Sequence, residues 1–311
     1  MNNVIIDSLS VEEDLVRLVS NHLASAGGKR MRPILTILTA KMYGYNGKSA
    51  IKLAAAVEFI HMATLLHDDV VDGSKMRRFL PTANVVWGSK ASILVGDFLF
   101  SQSFKLIVST KSLDALEVLS SASAIIAEGE VSQLAQLEAK QNISEADYLK
   151  VINAKTAELF GAACGVGAIV AGKTSDAKKL KEFGLKLGNI FQIADDALDY
   201  FSESNKVGKN VGDDFYEGKI TLPLIMLLEK VNPEEKLELD KMLSADARTV
   251  KDFALVQKLM LEYNIKSVIA KYLEQLKSKA EFALLSLEGS VDNQSKKYLR
   301  ELVGFAINRS Y

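Results

Sequence analysis

The spacing of apolar residues is the feature of this sequence that most restricts its fold. Apolar side chains recur three and four positions apart in almost every segment, which is the period of an amphipathic helix. Only four residues in the whole chain are proline, so long helices can continue uninterrupted. Two of the apolar stripes are Leu15, Leu18, Val19 and Leu23, and Val256, Leu259, Met260, Tyr263 and Ile269. The sequence therefore predicts an all-α protein, with Pro33 and Pro223 just inside helix starts.

The composition predicts a single domain spanning residues 1–311. No linker rich in Gly, Ser and Pro divides the chain, and 48% of its residues are apolar, which is enough for a sizeable core. A net charge of -1 argues against a general nucleic-acid binder, so any phosphate chemistry must come from local clusters. The single cysteine, Cys164, excludes an internal disulfide and is predicted to be a small core residue.

Nothing in the sequence indicates a targeting or membrane-spanning segment. The first fourteen residues are polar and acidic, unlike a signal peptide. The longest apolar stretch, residues 161–172, is too short to cross a bilayer. We expect a soluble, cytoplasmic protein.

An acidic cluster ends one strongly apolar helix. The predicted helix over residues 51–71 leads into Asp68, Asp69 and Asp72. Asp68 and Asp72 are four residues apart and share a face, where their like charges repel. Anions are also unfavourable at the C-terminal end of a helix. A divalent, oxygen-seeking ion such as Mg²⁺ would compensate both effects.

The same construction occurs a second time. A helix containing Phe183, Leu187 and Ile190 leads into Asp195, Asp196 and Asp199, again with a spacing of four. One such string is most often a solvated helix end, but two copies indicate a shared purpose. We expect the two sets of carboxylates to face one another and to bind a diphosphate through several Mg²⁺ ions.

Cationic residues lie near each acidic cluster in the sequence. Any single lysine is most simply a surface charge, whereas the paired guanidinium groups of Arg77 and Arg78 suit phosphate oxygens. His61 shares the helix face of Asp68, and its role stays open between a core residue and a ligand contact. His67 is expected to make a local hydrogen bond. The other cations are Lys29, Arg30 and Arg32 after Gly28, and Lys206, Lys209 and Lys219 after the second cluster.

Five motifs in order resemble the trans-polyprenyl diphosphate synthase family, over about residues 23–228. The two aspartate-rich motifs are residues 67–72, followed by Arg77 and Arg78, and residues 191–200. The others are residues 28–33, the pair Lys155 and Thr156, and the loop 208–219. The likeness is strongest to the long-chain, octaprenyl-type subgroup.

The resemblance implies a fold, an activity and site residues. The fold would be an antiparallel helix bundle around a deep central cavity, usually a homodimer. The activity would be repeated condensation of isopentenyl diphosphate with an allylic diphosphate such as farnesyl diphosphate. Implied ligands of two to three Mg²⁺ ions are Asp68, Asp72, Asp195 and Asp199. Implied contacts to isopentenyl diphosphate are Lys29, Arg32, His61 and Arg78. Implied contacts to the allylic substrate are Arg77, Lys155, Thr156, Gln192, Lys209 and Lys219.

Two departures and one structural inference accompany the resemblance. Phe79 stands where the family usually has glycine, so the backbone after Arg78 should bend differently or bear strain. We expect its ring to pack against a neighbouring helix. Ile220 replaces a common proline. The growing product should run from Asp68 along its helix past small Thr64 and Ala63, then Ile60 and Val57. In short-chain members of the family an aromatic residue closes the pocket at this level, so its absence here resembles the long-chain subgroup and implies a product well beyond farnesyl length.

Other functions remain open from the sequence. A short- or medium-chain synthase, a class I terpene cyclase and a head-to-head synthase share the acidic clusters. A cyclase has less use for the basic residues Lys29, Arg32 and Arg78, which a second diphosphate requires. A regulatory subunit of a heteromeric synthase should have lost some of the aspartates, whereas both acidic clusters are complete in this sequence. The product is expected to serve quinone side chains, and its release to involve peripheral membrane contact.

Overall fold

The computed structural model describes residues 1–139, 143–201, 211–245, 247–287 and 291–308. The described chain is almost entirely helical, as the apolar spacing predicts. A two-stranded antiparallel hairpin, β1 (Met76–Arg77) and β2 (Leu80–Pro81), follows the fourth helix. The helices are α1 (Asn2–Ser8), α2 (Asp14–Ser25), α3 (Met31–Met42), α4 (Lys48–Val71), α5 (Ala83–Trp87), α6 (Ser89–Val108), α7 (Leu113–Ala139), α8 (Glu145–Ile152), α9 (Glu158–Val170), α10 (Thr174–Phe201), α11 (Asp213–Tyr216), α12 (Leu222–Leu228), α13 (Pro233–Leu243), α14 (Val250–Glu262), α15 (Ile265–Leu285) and α16 (Asn293–Asn308).

The chain groups into two compact units. Unit 1 contains Met1–Ala124, Leu159–Gly184 and Ala283–Arg300, and unit 2 contains Ile125–Glu158, Leu185–Phe282 and Glu301–Tyr311. The prediction of one domain over the whole chain stays a prediction.

Unit 1 is built around α4. This helix packs against α1, α3, α5 and α6, and the side chains of Phe59, Ala63 and Leu66 are buried in one cluster with Val95 and Leu99 of α6. Packing against these helices removes most of the apolar surface of α4 from water. The C-terminal end of α4 is thereby fixed, and with it the first acidic cluster.

Two helices of unit 1 are long and apolar enough to cross a membrane by length and composition alone, α4 and α6. The apolar window of α4 is 67% buried inside the protein, as expected of a core helix, and that of α6 is 39% buried. The sequence pointed instead to residues 161–172 as the longest apolar stretch. Cys164 in that stretch is buried, as predicted.

Two of the predicted apolar stripes need correction. Leu15 and Leu18 of α2 are exposed, and the buried face carries Val19 and Leu23. The second stripe does not lie on one helix. Helix α14 ends at Glu262 and α15 begins at Ile265, with Asn264 between them at a φ of 52°. Both Pro33 and Pro223 lie in first turns, as predicted.

Candidate active site

The first acidic cluster ends α4, and its three carboxylates differ in environment. Asp69 is buried at 1% exposure and accepts hydrogen bonds from Arg77 at 2.7, 3.0 and 3.1 Å. Asp68 is half-buried and Asp72, which caps the helix, is exposed. Asp68 and Asp72 lie on the more accessible face of α4, together with His61, Thr64 and Leu65. The accessible carboxylates are therefore the two that are spaced four apart.

Arg77 belongs to a hairpin whose turn is strained. The two turn residues, Arg78 and Phe79, have φ values of 51° and 68°. Two-residue hairpin turns of this kind favour Asn-Gly, since side chains with a Cβ resist positive φ. The expectation of an altered or strained backbone at Phe79 is confirmed. The expectation for its ring is wrong, because the ring is 70% exposed.

The basic residues of unit 1 surround a buried carboxylate. Arg32 donates through Nη1 to His61 Nε2 at 3.2 Å, and its guanidinium lies 4.4 Å from the centre of the Phe160 ring. Glu58, one turn before His61 on α4, is buried, and its Oε1 lies 3.9 Å from Arg30 Nε. Burial raises the pKa of Glu58, while the charges of Arg32, Arg30 and Arg78 lower it. The sequence analysis did not identify Glu58 as a site residue, although its position three residues before His61 places it on a related face of the helix.

Burial also shifts the pKa values of Arg32 and His61 in this cluster. It lowers the pKa of Arg32 to about 10, with Glu58 acting in the opposite direction. Burial, together with Arg32, Arg77 and Arg78, lowers the pKa of His61 well below its usual range. Because the arginine can only donate, Nε2 of a neutral His61 accepts and Nδ1 carries the proton. His61 is thus a hydrogen-bond partner of Arg32, and its contact with a ligand stays a prediction.

Arg78 approaches the glycines before α3. Its Nη1 donates to the carbonyl of Gly27, and a Cβ at Gly28 would lie only 3.0 Å from that nitrogen. Glycine at position 28 therefore leaves room for the guanidinium beside exposed Lys29. The structure brings together Arg32, His61 and Arg78, three of the four residues that the resemblance implies for isopentenyl diphosphate, with Lys29 next to them in sequence. His67 hydrogen-bonds the carbonyl of Ile93 in α6, a tertiary contact and not the local bond expected.

In unit 2, Lys155 and Thr156 lie on a π-helical segment, Asn153–Ala157. Such segments are short, and they often occur at functional sites. A Cβ at Gly129 of α7 would lie 2.7 Å from that of Ala154, so glycine permits the close approach of this segment. Lys155 Nζ lies 2.7 Å from Glu130 Oε2 and 2.9 Å from Gln133 Oε1. Sequence reasoning missed Glu130 and Gln133, whose spacing of three on α7 could have indicated a shared face.

A hydrogen-bonded chain connects Thr156 to the second acidic cluster. Thr156 Oγ1 donates to Gln192 Oε1 at 2.9 Å, and Gln192 Nε2 donates to Asp196 Oδ1 at 2.7 Å. The hydroxyl of Tyr148, also missed from the sequence, donates to Asp196 Oδ2 at 2.5 Å. Burial and the charge of Asp214 raise the pKa of Asp196, whereas the hydrogen bonds from Tyr148 and Gln192 lower it. Asp196 thus matches Asp69: the middle carboxylate of each cluster is bound inside the protein.

The remaining residues of the second cluster border the loop that follows. Asp199 accepts from the backbone N–H groups of Gly212 and Asp214, each at 3.2 Å. Lys219 Nζ lies 2.7 Å from Glu217 Oε2 and 3.9 Å from Asp214 Oδ1. Asp195 is half-buried. Lys209 and Lys206 lie outside the described residues.

The donor set suits a hard divalent cation that is completed by substrate oxygens. Within the described ranges, no group of three or more acidic, histidine or cysteine side chains is placed to hold a metal alone. The accessible carboxylates Asp68 and Asp72 offer oxygen ligands, which Mg²⁺ takes together with phosphates. The residues therefore fit a cation that arrives with a diphosphate.

Comparison with known proteins gives the family. The model of the polyprenyl synthetase family matches residues 13–260. The chain belongs to the polyprenyl synthetase family. Among polyprenyl synthetases, the octaprenyl diphosphate synthase of Escherichia coli is 46% identical over 236 residues, which cover 76% of this chain and 73% of the relative. That of Haemophilus influenzae is 38% identical over 312 residues, covering 100% and 93% of the two chains.

A solved structure extends the match to three dimensions. Polyprenyl synthase from Caulobacter crescentus, complexed with calcium and isoprenyl diphosphate, has a TM-score of 0.92 at 43% identity and covers 100% of this chain and 94% of its own. The predicted family, all-α fold and trans-prenyltransferase class are confirmed. The roles assigned to individual site residues stay predictions.

Proposed function

We propose that this protein condenses isopentenyl diphosphate with an allylic diphosphate to give a long-chain all-trans polyprenyl diphosphate. The observation that carries this proposal is the basic cluster of unit 1, where Arg32 hydrogen-bonds His61, Arg30 lies 3.9 Å from buried Glu58, and Arg78 donates to the carbonyl of Gly27. A cluster of guanidinium groups suits the binding of a second diphosphate, because each can donate two parallel hydrogen bonds to phosphate oxygens. The octaprenyl diphosphate synthases of two bacteria, similar over most of this chain, support the long-chain product.

The acidic clusters supply the metal ligands. Asp68, Asp72 and Asp195 would hold Mg²⁺ together with diphosphate oxygens, with two to three ions per site. Asp199 joins them, in addition to accepting two backbone N–H groups. When bound, Mg²⁺ neutralises the charge that grows on the departing diphosphate. The calcium in the related Caulobacter structure supports a divalent ion.

The protein's own cations hold the two substrates. Lys155, Lys219 and Lys209 contact the allylic diphosphate, with Thr156, Gln192 and Arg77 beside them. Lys29, Arg32, His61 and Arg78 hold isopentenyl diphosphate. The allylic C–O bond breaks and diphosphate leaves. The π bond of isopentenyl diphosphate then forms the new C–C bond, and the proton lost from it passes to the released diphosphate.

Product length is set beside Asp68. Thr64 shares the accessible face of α4 with Asp68, whereas Ala63, Ile60 and Val57 are at most 1% exposed. Ala63 is packed against α6. The growing chain therefore passes Thr64 first. None of these four residues of α4 is aromatic. This observation favours a long-chain product over the short- and medium-chain alternatives.

A homodimer is proposed on the face of α5 and α6. Val85, Val86, Ile93 and Leu94 are 55%, 47%, 41% and 67% exposed on these neighbouring helices. A second copy of the chain would cover this apolar face. We also propose that the enzyme is cytoplasmic. Its product would serve quinone side chains and leave by peripheral contact with the membrane.

The test is turnover of the purified protein. Isopentenyl diphosphate and farnesyl diphosphate should be consumed with release of diphosphate, only when Mg²⁺ is present and not after EDTA. A cyclase or head-to-head synthase would instead release diphosphate from the allylic substrate alone. A regulatory subunit would turn over neither substrate without a partner.

A further inference from the structure

Arg248, which the mechanism above does not use, binds the main chain of unit 2. It lies between α13 and α14. Its Nη1 donates to the carbonyl of Phe215 at 2.9 Å, and Nη2 donates to that of Gly218 at 3.1 Å. The carbonyls of Lys219 and Leu243 lie at 3.4 and 3.5 Å. The guanidinium also lies 5.1 Å from the centre of the Phe215 ring.

Three of these carbonyls, those of Phe215, Gly218 and Lys219, lie at the end of α11 or in the turn after it, and that of Phe215 also accepts a hydrogen bond from the N–H of Gly218 at 3.1 Å. Helix α11 has only four residues, so its last carbonyls and those of the following turn cannot all find N–H partners within the helix. A cation at the C-terminal end of a helix satisfies such groups and suits the helix dipole. Arg248 is half-buried, and burial lowers its pKa. One side chain thus holds the end of α11 and the turn that leads to Lys219.

The same segment is fixed at its start. Asp199 accepts the N–H groups of Gly212 and Asp214, and a Cβ at Gly212 would lie 2.9 Å from the ring of Phe253. That ring packs against Phe215, with 5.5 Å between the ring centres. Gly212 and Gly218 both have positive φ, at 91° and 87°, so the turns at each end of α11 depend on glycine. Between these points the backbone path is determined by contacts that Arg248 completes.

We propose that Arg248 is a positioning residue that places the ammonium group of Lys219 for the allylic diphosphate. It holds the Gly218 carbonyl, which belongs to the peptide group preceding Lys219, and contacts the carbonyl of Lys219 itself. The ammonium group lies near Glu217 and Asp214 of the same segment, so its direction depends on the path of that segment. This inference rests on the proposed function, in which Lys219 contacts the allylic diphosphate.

Steady-state kinetics of Arg248→Ala tests the proposal. Because a displacement of about 1 Å can cost on the order of a hundredfold in rate, kcat/KM for farnesyl diphosphate should fall by about ten- to a hundredfold. The KM for isopentenyl diphosphate should stay within about twofold, since the hydrogen bonds and ring contact of Arg248 described above involve none of the residues proposed to hold that substrate. Arg248→Lys keeps the charge but loses the forked guanidinium group. Its kcat/KM for farnesyl diphosphate should therefore lie between those of the wild type and Arg248→Ala. Lys251→Ala removes an exposed cation from α14 and should match wild type.

A double-mutant cycle with Lys219→Ala separates positioning from a general loss of structure. If Arg248 acts through Lys219, adding Arg248→Ala to Lys219→Ala should cause little further loss. Fully additive losses, or equal increases in KM for both substrates, would overturn the proposal. If Arg248→Ala does not fold, the same cycle is run with Arg248→Lys. Lack of turnover by the wild type would instead contradict the proposed function.

Discussion

Arg77 donates hydrogen bonds to both oxygens of Asp69, at 2.7 to 3.1 Å, and the carboxylate is almost completely buried. The neighbouring Asp68 lies on the accessible face of α4. Two adjacent aspartates of one motif therefore have different physical roles. Asp69 ties the hairpin to the end of the helix, whereas Asp68 lies on the more accessible face, where we propose that it binds a metal ion.

This difference predicts opposite outcomes for two adjacent substitutions. Asp69→Ala leaves Arg77 without its buried partner and should destabilise the protein by about 2–4 kcal/mol. Asp68→Ala removes one of two repelling charges at a helix C-terminus, so it should abolish turnover with no loss of stability. Urea unfolding and turnover, measured on both variants, check this. In unit 2, Asp196→Ala and Asp195→Ala form the matching pair. A large loss of stability in Asp68→Ala would show that its carboxylate is structural.

The strained turn predicts a stabilising substitution. Phe79→Gly removes the Cβ from a residue with a φ of 68° and should stabilise the protein by about 1–2 kcal/mol. Activity should stay within a small factor, because the ring is exposed. Phe79→Ala is the control, since it removes the ring but keeps the Cβ. A gain of stability in the alanine variant equal to that in glycine would assign the effect to the ring. A large gain of activity in Phe79→Gly would mean that the turn impairs the native site.

The lowered pKa of His61 predicts a dependence of stability on pH. Its pKa is lowered in the folded protein, so the unfolded chain binds a proton more readily below about pH 6.5. Stability is therefore lost as the pH falls through that value, with a slope of at most about 1.4 kcal/mol per pH unit. The free energy of unfolding of wild type and His61→Gln should be measured between pH 7 and 5. The variant should show the smaller slope. Equal slopes would mean that His61 is not the group responsible.

The sequence predicted some parts of this molecule well because their signals are local. The period of apolar residues predicted α4 and α10, and the acidic spacing predicted which carboxylates share a face. Glu58, Tyr148 and Arg248 could not be predicted in the same way. Each is defined by a partner distant in sequence, as Tyr148 is by Asp196. The π-helical segment under Lys155 depends likewise on Gly129 in another helix. Leu15 and Leu18 show that an apolar period does not tell which side of a short helix is buried.

The position of Thr64 predicts control of product length. Thr64→Phe adds an aromatic ring on the accessible face one turn before Asp68 and should shorten the main product while sparing the first condensations. Ala63→Tyr introduces a large ring into a position that is 1% exposed, so it should also lower stability through overpacking. Chromatography of the products and thermal unfolding of both variants check this. Products of wild-type length from both variants would show that the chain does not pass along this face.

The most direct test of the central claim is the product length of the wild-type protein. Purified protein is incubated with labelled isopentenyl diphosphate, farnesyl diphosphate and Mg²⁺, and the dephosphorylated products are separated by size. We predict one main product, extended by several isoprene units beyond the farnesyl starter. A main product that stops at geranylgeranyl length, after a single condensation, would contradict the assignment as a long-chain synthase.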